Sequence, residues 1–157
     1  MQMPELQWLS PPVESIDRIT PTDLAELIAQ IEKEAMNFPI HSAPQLLEQL
    51  RSCQQAKPSR LICSLLDGDT DLPLQGVLGL REPAAIVQGV AMLRARTGIS
   101  RAWLIVDAAL PVEWTRQLNK LADEARLRCI FIRNDYPQSD PTLLLYTLLD
   151  RRLRPGM

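Results

Sequence analysis

Three short apolar runs alternate with helical patterns in this chain, and this order limits the possible folds more than any other feature. The runs are "LICSLL" (61–66), "RAWLIVDAA" (101–109) and "RCIFIRN" (128–134). Each is continuously apolar, which is typical of a strand covered on both faces. A strand–helix repeat predicts parallel strands joined by crossover helices. We therefore predict an α/β fold: a three-layer sandwich with a small, mostly parallel, Rossmann-like sheet.

Amphipathic patterns predict the helices around these strands. "TPTDLAELIAQIEKEA" predicts a helix with Thr20 as its N-cap and Pro21 in its first turn, and a short second helix is expected from about 44 to 53. "EPAAIVQGVAMLRARTG" predicts a helix that ends at Gly98. "PVEWTRQLNKLADEARL" predicts another, and the last helix follows "NDYPQSD". The positions expected to face the core are Leu24, Leu27, Ile28, Ile31 and Ala35; Leu46, Leu47 and Leu50; Ile86, Val90 and Leu93; and Trp114, Leu118, Leu121 and Ala125.

Length and composition favour one compact domain. The chain has 157 residues, of which 46% are hydrophobic, enough for one core. Residues 1–19, interrupted by Pro4, Pro11 and Pro12, are expected to form an extended arm, and residues 20–157 a single α/β domain. The net charge of -2 argues against a nucleic-acid partner. Because the sequence has neither an apolar run of roughly 18–20 residues nor a signal peptide, we expect a cytoplasmic protein without membrane insertion.

Cysteine and histidine patterns do not indicate metal or nucleophilic chemistry. Cys53, Cys63 and Cys129 are odd in number and widely spaced, which argues against a disulfide framework. Cys63 and Cys129 lie in apolar runs and are expected to be buried as small hydrophobic side chains. His41 is the only histidine, and no C-x-x-C spacing is present, so no metal ligands are predicted. No Ser/His/Asp or Cys/His constellation is evident, so no catalytic residue is predicted.

Three polar stretches compete for a site at one edge of the predicted sheet. They are "DGDTD" after the first strand, "DAALP" after the second and "NDYPQSD" after the third. Ligands of parallel sheets bind beyond the carboxyl ends of the strands. Any function of the core is therefore expected among these stretches.

Several motifs resemble those of the flavin- and NADH-binding domain shared by the C subunit of Rnf-type electron transport complexes and the NADH-binding subunit of respiratory complex I. "YPQSDPTLLLYTLLDRRLRP" is similar to that family's YPQGGEKQLIYALTGREVP motif. "LICSLLDGDTDL" and "REPAAIVQG" are similar to LIINGAECEPYL and ERPEEILEG, and "EAMNFPIH" to a GGAGFPTH-like flavin loop. The resemblance covers about residues 19–156. It implies binding of FMN and NADH in an electron-transport protein, peripheral to a membrane complex.

The chain departs from these motifs at glycines that let the backbone approach the flavin and dinucleotide phosphates. The residues at those positions are Glu34, Ala35, Asn37, Leu65, Ser139 and Asp140. Asp140 and Pro141 predict an N-cap and first turn, so a carboxylate takes the helix end that a phosphate needs. If the family's site is retained, the resemblance implies these cofactor-binding residues: Asn37, Phe38, Asp67, Asp69, Tyr136 and Ser139.

Three of these positions have open alternatives. Asp67 and Asp69 align with two family glutamates, which implies contacts to ribose hydroxyls or a cation. They equally fit a solvated turn in which aspartates accept hydrogen bonds from neighbouring amides. Tyr136 either stacks on an aromatic ligand or packs over the edge of the sheet.

The function also has alternatives. The first is a degenerate, non-catalytic binding or assembly domain without a cofactor, because the chain lacks ligands for a series of redox centres. The apolar helix at 143–149 has more hydrophobic positions than one face buries, which favours a protein partner or a homodimer. The second is a subunit of an NADH-dependent oxidoreductase that binds FMN or NADH in a modified site. The third is a regulatory domain that senses another small molecule in the same cleft.

Overall fold

The computed structural model describes residues 23–33, 46–56, 58–69, 74–135 and 138–149. The predicted arm at 1–19 and the predicted cap Thr20 lie outside these ranges. In chain order the elements are α1 (Leu24–Lys33), α2 (Leu46–Gln55), β1 (Arg60–Ser64), α3 (Leu74–Arg81), α4 (Pro83–Thr97), β2 (Arg101–Asp107), α5 (Val112–Glu124), β3 (Arg128–Ile132) and α6 (Pro141–Leu149).

The three strands form one parallel sheet in the order β1-β2-β3, which confirms the predicted α/β fold. Arg60 of β1 is in register with Arg101 of β2, and Trp103 of β2 is in register with Arg128 of β3. The central strand is buried on both faces, because Leu104, Ile105 and Val106 have no exposed surface. Its continuous apolar sequence follows from this double coverage. The Rossmann-like arrangement stays a prediction.

Helices α4 and α5 cover one face of the sheet. Val87 and Val90 of α4 and Trp114 and Leu118 of α5 pack against alternate strand residues such as Leu104. Gly98 ends α4 with a φ of 68°, the left-handed conformation that glycine adopts at little cost, as predicted. This layer holds the largest of the three buried clusters among the described residues.

Helix α6 covers the opposite face, and α1 and α2 form a separate layer. Leu144 of α6 is buried with Leu66 and Ile105. Helices α1 and α2 pack on each other and, through Met92 and Leu93, on α4 rather than on the sheet. Their shared cluster consists of Leu27, Ile28, Ile31, Leu47 and Leu50. The buried side chains of α1 and α2 therefore form a cluster with α4 and not with the strands.

Some predicted boundaries were wrong. Helix α1 begins at Leu24, and Asp23 caps it by accepting a hydrogen bond from the Glu26 amide at 2.9 Å. Leu46 of α2 is 38% exposed rather than buried, and the predicted start of this helix at about 44 lies outside the described residues. Strand β1 spans Arg60–Ser64 instead of 61–66.

Helix α3 was not predicted, because its two glycines weaken the helical signal. Gly79 has a packing role. A Cβ added there would lie 3.2 Å from Cζ2 of Trp114, whose indole Nε1 donates a hydrogen bond to the Gly79 carbonyl at 2.9 Å. A side chain at this position would therefore require Trp114 to shift by a few tenths of an ångström.

Candidate functional site

Asp67 follows β1 and caps α3 across a gap in sequence. Its Oδ1 accepts a hydrogen bond from the Gln75 amide at 2.6 Å, and its Oδ2 accepts one from the Gly76 amide at 2.9 Å. The first amides of a helix have no intrahelical partner and carry its positive partial charge. Asp67 is only 9% exposed. The solvated-turn interpretation was therefore wrong for Asp67, which is buried and bonds to amides eight and nine residues away.

The loops after β1 and β3 meet beside this cap. Nδ2 of Asn134 donates a hydrogen bond to the Asp67 carbonyl at 3.0 Å. The Oγ of Ser139 lies 3.9 Å from the point that a Cβ on Gly68 would occupy. The structure thus brings the predicted positions Asp67 and Ser139 to one place, with Asp69 exposed in the same loop. The other predicted site residues, Asn37, Phe38 and Tyr136, lie outside the described residues, as does His41.

Asn134 was missed in the sequence, although an amide side chain directly after a strand is a recognisable signal at this edge of a parallel sheet. Its side chain donates a hydrogen bond to the loop after β1, to a residue 67 positions earlier in the chain. Only the parallel pairing of β1 and β3 with β2 brings the two loops together.

Asp140 caps α6, as the sequence predicts. Its Oδ1 accepts hydrogen bonds from the amides of Thr142 at 2.8 Å and Leu143 at 3.2 Å. At the end of β2, Oδ1 of Asp107, the last residue of this strand, accepts a hydrogen bond from the Ala109 amide at 2.8 Å. Each strand therefore ends in, or is followed by, an aspartate whose carboxylate accepts a hydrogen bond from a backbone amide of this chain.

The carboxyl edge of the sheet is consequently acidic. Arg133 lies just beyond β3 and forms an exposed salt bridge with Asp135, at 3.1 Å from Nε to Oδ1. The aspartates at or just beyond the strand ends are Asp67, Asp69, Asp107, Asp135 and Asp140. Such a charge distribution repels an incoming phosphate.

The thiols are placed for packing rather than for reaction. Cys63 and Cys129 flank Leu104 from the two outer strands, so their Cα atoms are roughly 10 Å apart, too far for a disulfide. Burial raises the pKa of both thiols to about 11, and the nearby Asp123 carboxylate adds to the effect at Cys129. Burial also raises the pKa of Cys53. Because the thiolate is the nucleophile, these environments disfavour cysteine chemistry at neutral pH.

Metal and membrane sites have no support in the part of the chain that the structure describes. No three His, Cys, Asp or Glu side chains are grouped there so as to hold a metal ion. None of the helices found there has the length and apolar character needed to cross a membrane.

The opposite edge of the sheet is basic, which the sequence interpretation missed. The first residue of each strand is an arginine: Arg60, Arg101 and Arg128. The guanidinium carbons of Arg60 and Arg128 lie 5.2 Å and 5.9 Å from the ring centroid of Trp103. An arginine stands at, or one residue before, the start of each apolar run. This pattern could have predicted the basic edge, since parallel register places such residues at one edge of a sheet.

The chain matches no protein-family model, no curated protein and no solved structure. The resemblance to the flavin- and NADH-binding domain of the Rnf and complex I subunits thus rests on the motifs in the sequence and stays a prediction.

Proposed function

We propose that this chain is a non-catalytic binding or assembly domain, a degenerate relative of the Rnf and complex I flavin- and NADH-binding module. The observation that supports this proposal most is the buried carboxylate of Asp67 at the N-terminus of α3. Dinucleotide sites of parallel sheets place phosphates on the amides of such a helix end. In this chain those amides already bind a carboxylate.

Displacement of Asp67 by a phosphate would be costly. The carboxylate would lose two charge-assisted hydrogen bonds, each worth roughly 1.5–3 kcal/mol. The incoming phosphate would gain the same amides but would remain close to a second negative charge. Asp140 creates the same conflict at α6. Both helix ends therefore favour a site without a phosphate-bearing cofactor.

Packing at a former glycine position supports the same proposal. Leu65 stands where the resembling motif has a glycine, and it is only 8% exposed within the cluster between the sheet and α4–α5. Its Cδ1 lies 3.4 Å from the point that a Cβ on Gly79 would occupy. The space next to the strand end is thus filled by a leucine side chain and a helix backbone.

Exposed apolar side chains on two helices support a role in binding other proteins. Leu74 and Leu78 of α3 are 74% and 53% exposed, and Leu143 and Tyr146 of α6 are 41% and 47% exposed. The exposure on α6 agrees with the prediction that this helix has more hydrophobic positions than one face buries. Large apolar side chains at the surface mark protein–protein contacts when they lie together. A protein partner or a second copy of the chain is the proposed occupant.

A cofactor titration tests the proposal. The freshly purified chain is expected to show no flavin absorbance, and neither FMN nor NADH is expected to raise its melting temperature. Binding of FMN or NADH at micromolar concentration would contradict the proposal and support the alternative, an oxidoreductase subunit with a modified site.

Sedimentation analysis tests the interaction surface. If α6 forms a homodimer, Leu143→Glu should shift the chain towards monomer, because a buried charge in an apolar interface is costly. The control Gln117→Glu, at an exposed position of α5, should leave the distribution unchanged. A strict monomer at high concentration in the unmodified chain would contradict the homodimer.

A further inference from the structure

A concave, arginine-rich surface lies at the amino edge of the sheet. A cavity of about 350 Å³ is lined there by Ser100, Arg101, Trp103, Arg126 and Arg128, among others. Strand alternation and register place Arg60, Arg101, Arg128 and Trp103 on one face of the sheet. We refer to Arg60, Arg101, Arg126 and Arg128, together with Trp103, as the arginine edge.

The charges of the arginine edge are not neutralised by the described carboxylates. No salt bridge within residues 23–33, 46–56, 58–69, 74–135 and 138–149 involves any of its four arginines. The Nε of Arg60 is buried and makes no hydrogen bond with a described residue. Buried donors are normally satisfied. The cavity-lining residues Arg101, Arg126 and Arg128 therefore present cations that form no salt bridge with a described carboxylate, whereas the Nε of Arg60 is an unsatisfied donor inside the protein.

Arg126 holds its place at a conformational cost. It has a φ of 56° just after α5, in a turn closed by hydrogen bonds from its own amide to Asp123 and from the Leu127 amide to Ala122. Glycine is the usual residue at this position of a helix end, because a Cβ is unfavourable in the left-handed conformation. The strained residue is an arginine that lines the cavity. Strain of this kind is concentrated at binding sites.

Structural roles explain only some of the arginines at this end of the molecule. Arg94 donates a hydrogen bond to the Arg126 carbonyl at 2.6 Å and so satisfies the end of α5. Arg60 and Arg128 lie on the edge strands β1 and β3, where charged side chains oppose edge-to-edge association. Neither role applies to Arg101, which lies on the central strand, or to the side chain of Arg126.

The chemistry of the surface selects phosphate groups. Guanidinium groups pair with the oxygens of phosphates and carboxylates in a bidentate geometry. Three cavity-lining cations favour more than one negative charge, and a phosphate monoester carries about −1.5 to −2 at neutral pH. The guanidinium groups of Arg60 and Arg128, from the two flanking strands, lie close to the ring of Trp103. A cavity of about 350 Å³ fits a small molecule.

From these observations we infer that the arginine edge binds a small polyanion that carries phosphate groups. This site goes beyond the proposed function and does not depend on it, because it lies at the opposite end of the strands from the aspartate caps. The ligand is held by Arg101, Arg126 and Arg128, while Trp103 orients Arg60 and Arg128 through cation–π contacts.

Calorimetric titration of the full chain with inorganic pyrophosphate tests the inference. Saturable binding of one pyrophosphate is expected, tighter than that of inorganic phosphate or citrate. Arg101→Gln and Arg128→Gln should each weaken it by roughly tenfold or more. Arg116→Gln, at an exposed position of α5 away from the cavity, should change it by less than about twofold.

Arg126→Gly separates binding from folding, because it removes the side chain and relieves the left-handed backbone. It should weaken pyrophosphate binding while the melting temperature is maintained or raised. Equal loss in Arg116→Gln and Arg128→Gln, or no pyrophosphate binding at millimolar concentration, would overturn the inference. Citrate binding as tightly as pyrophosphate would overturn the phosphate assignment. Tighter binding of a single-stranded oligonucleotide, lost in the same variants, would overturn the small-molecule assignment.

Discussion

The two edges of the same three-stranded sheet differ in how their charges and hydrogen-bonding groups are satisfied. At the carboxyl edge, Asp67, Asp107 and Asp140 accept hydrogen bonds from backbone amides of the chain. At the amino edge, Arg101 and Arg128 have no described carboxylate partner. At the edge that usually binds ligands in α/β proteins, backbone amides thus already bind the protein's own carboxylates. The position of a ligand site therefore depends on which polar and charged groups lack hydrogen-bond or salt-bridge partners within the protein.

The helix ends at the two edges strengthen this contrast. The N-termini of α3 and α6 lie at the carboxyl edge, where aspartates neutralise their positive ends. The C-terminus of α5 lies at the amino edge, where Arg94 bonds to the Arg126 carbonyl. Local charges therefore complement the helix ends at both edges. The arginine edge carries more positive charge than is needed to complement the negative end of α5.

The largest expected effect concerns the cap on α3. Asp67→Ala leaves the amides of Gln75 and Gly76 without their acceptor, and should reduce the free energy of unfolding by roughly 2–3 kcal/mol. Urea unfolding measures the change. Asp135→Ala removes an exposed salt bridge at the same edge, and should cost less than about 0.5 kcal/mol. Equal losses in the two variants would break the account of the carboxyl edge.

The next effect concerns the interior between the two edges. Burial raises the pKa of Cys63 from 9.0 to about 11, so the folded state keeps a proton that the unfolded state loses in this range. The resulting contribution to stability is complete below pH 9.0 and is lost as the pH rises through about 11. Between pH 9 and pH 11, the free energy of unfolding of the unmodified chain should fall by about 2 kcal/mol more than that of Cys63→Val. Urea unfolding of both chains at pH 9 and at pH 11 measures this, and parallel curves would contradict the raised pKa of Cys63, which is partly buried rather than buried as predicted.

The cap on α6 should have a smaller effect, because it is less buried than Asp67. Asp140→Ala removes the acceptor for the amides of Thr142 and Leu143, and should reduce stability by about 1 kcal/mol. Thermal unfolding measures the loss. Ser139→Ala, one residue earlier, should change stability by less than about 0.5 kcal/mol. A larger loss in Ser139→Ala would show that this loop is stabilised by something other than the cap.

The smallest effect has the opposite sign and lies at the amino edge. Arg126→Gly places glycine at a φ of 56° and should stabilise the chain by about 0.5–1 kcal/mol. Urea unfolding measures the gain. A clear loss of stability would mean that the Arg126 side chain contributes to folding, and would weaken its assignment to ligand binding.

The sequence predicted the strands and helices that are marked by continuous apolar runs or by residues typical of helix ends. The three strands and helices α4, α5 and α6 were found from apolar runs and caps, including Gly98 and Asp140. Helix α3 was missed because Gly76 and Gly79 lower helix propensity. The reason for Gly79 is the approach of Trp114, 35 residues later in the chain. Such a contact is tertiary and has no local signal.

The same limit applies to the site. The role of Asp67 as a remote cap was not predictable once α3 had been missed, although its loop was correctly placed with that of Ser139. The arginine edge was missed because Arg60, Arg101 and Arg128 are far apart in sequence. They meet only through the register of the parallel sheet. The strained backbone of Arg126 likewise depends on how α5 ends.

The most direct test of the account is a pyrophosphate titration followed by amide NMR shifts across the chain. We expect the shifts to be concentrated at residues 98–103 and 125–128, at the amino edge, and the amides of Gln75, Gly76 and Thr142 to be unaffected. Shifts concentrated at those three capped amides would contradict it, because they would show that a phosphate displaces the aspartates at the carboxyl edge.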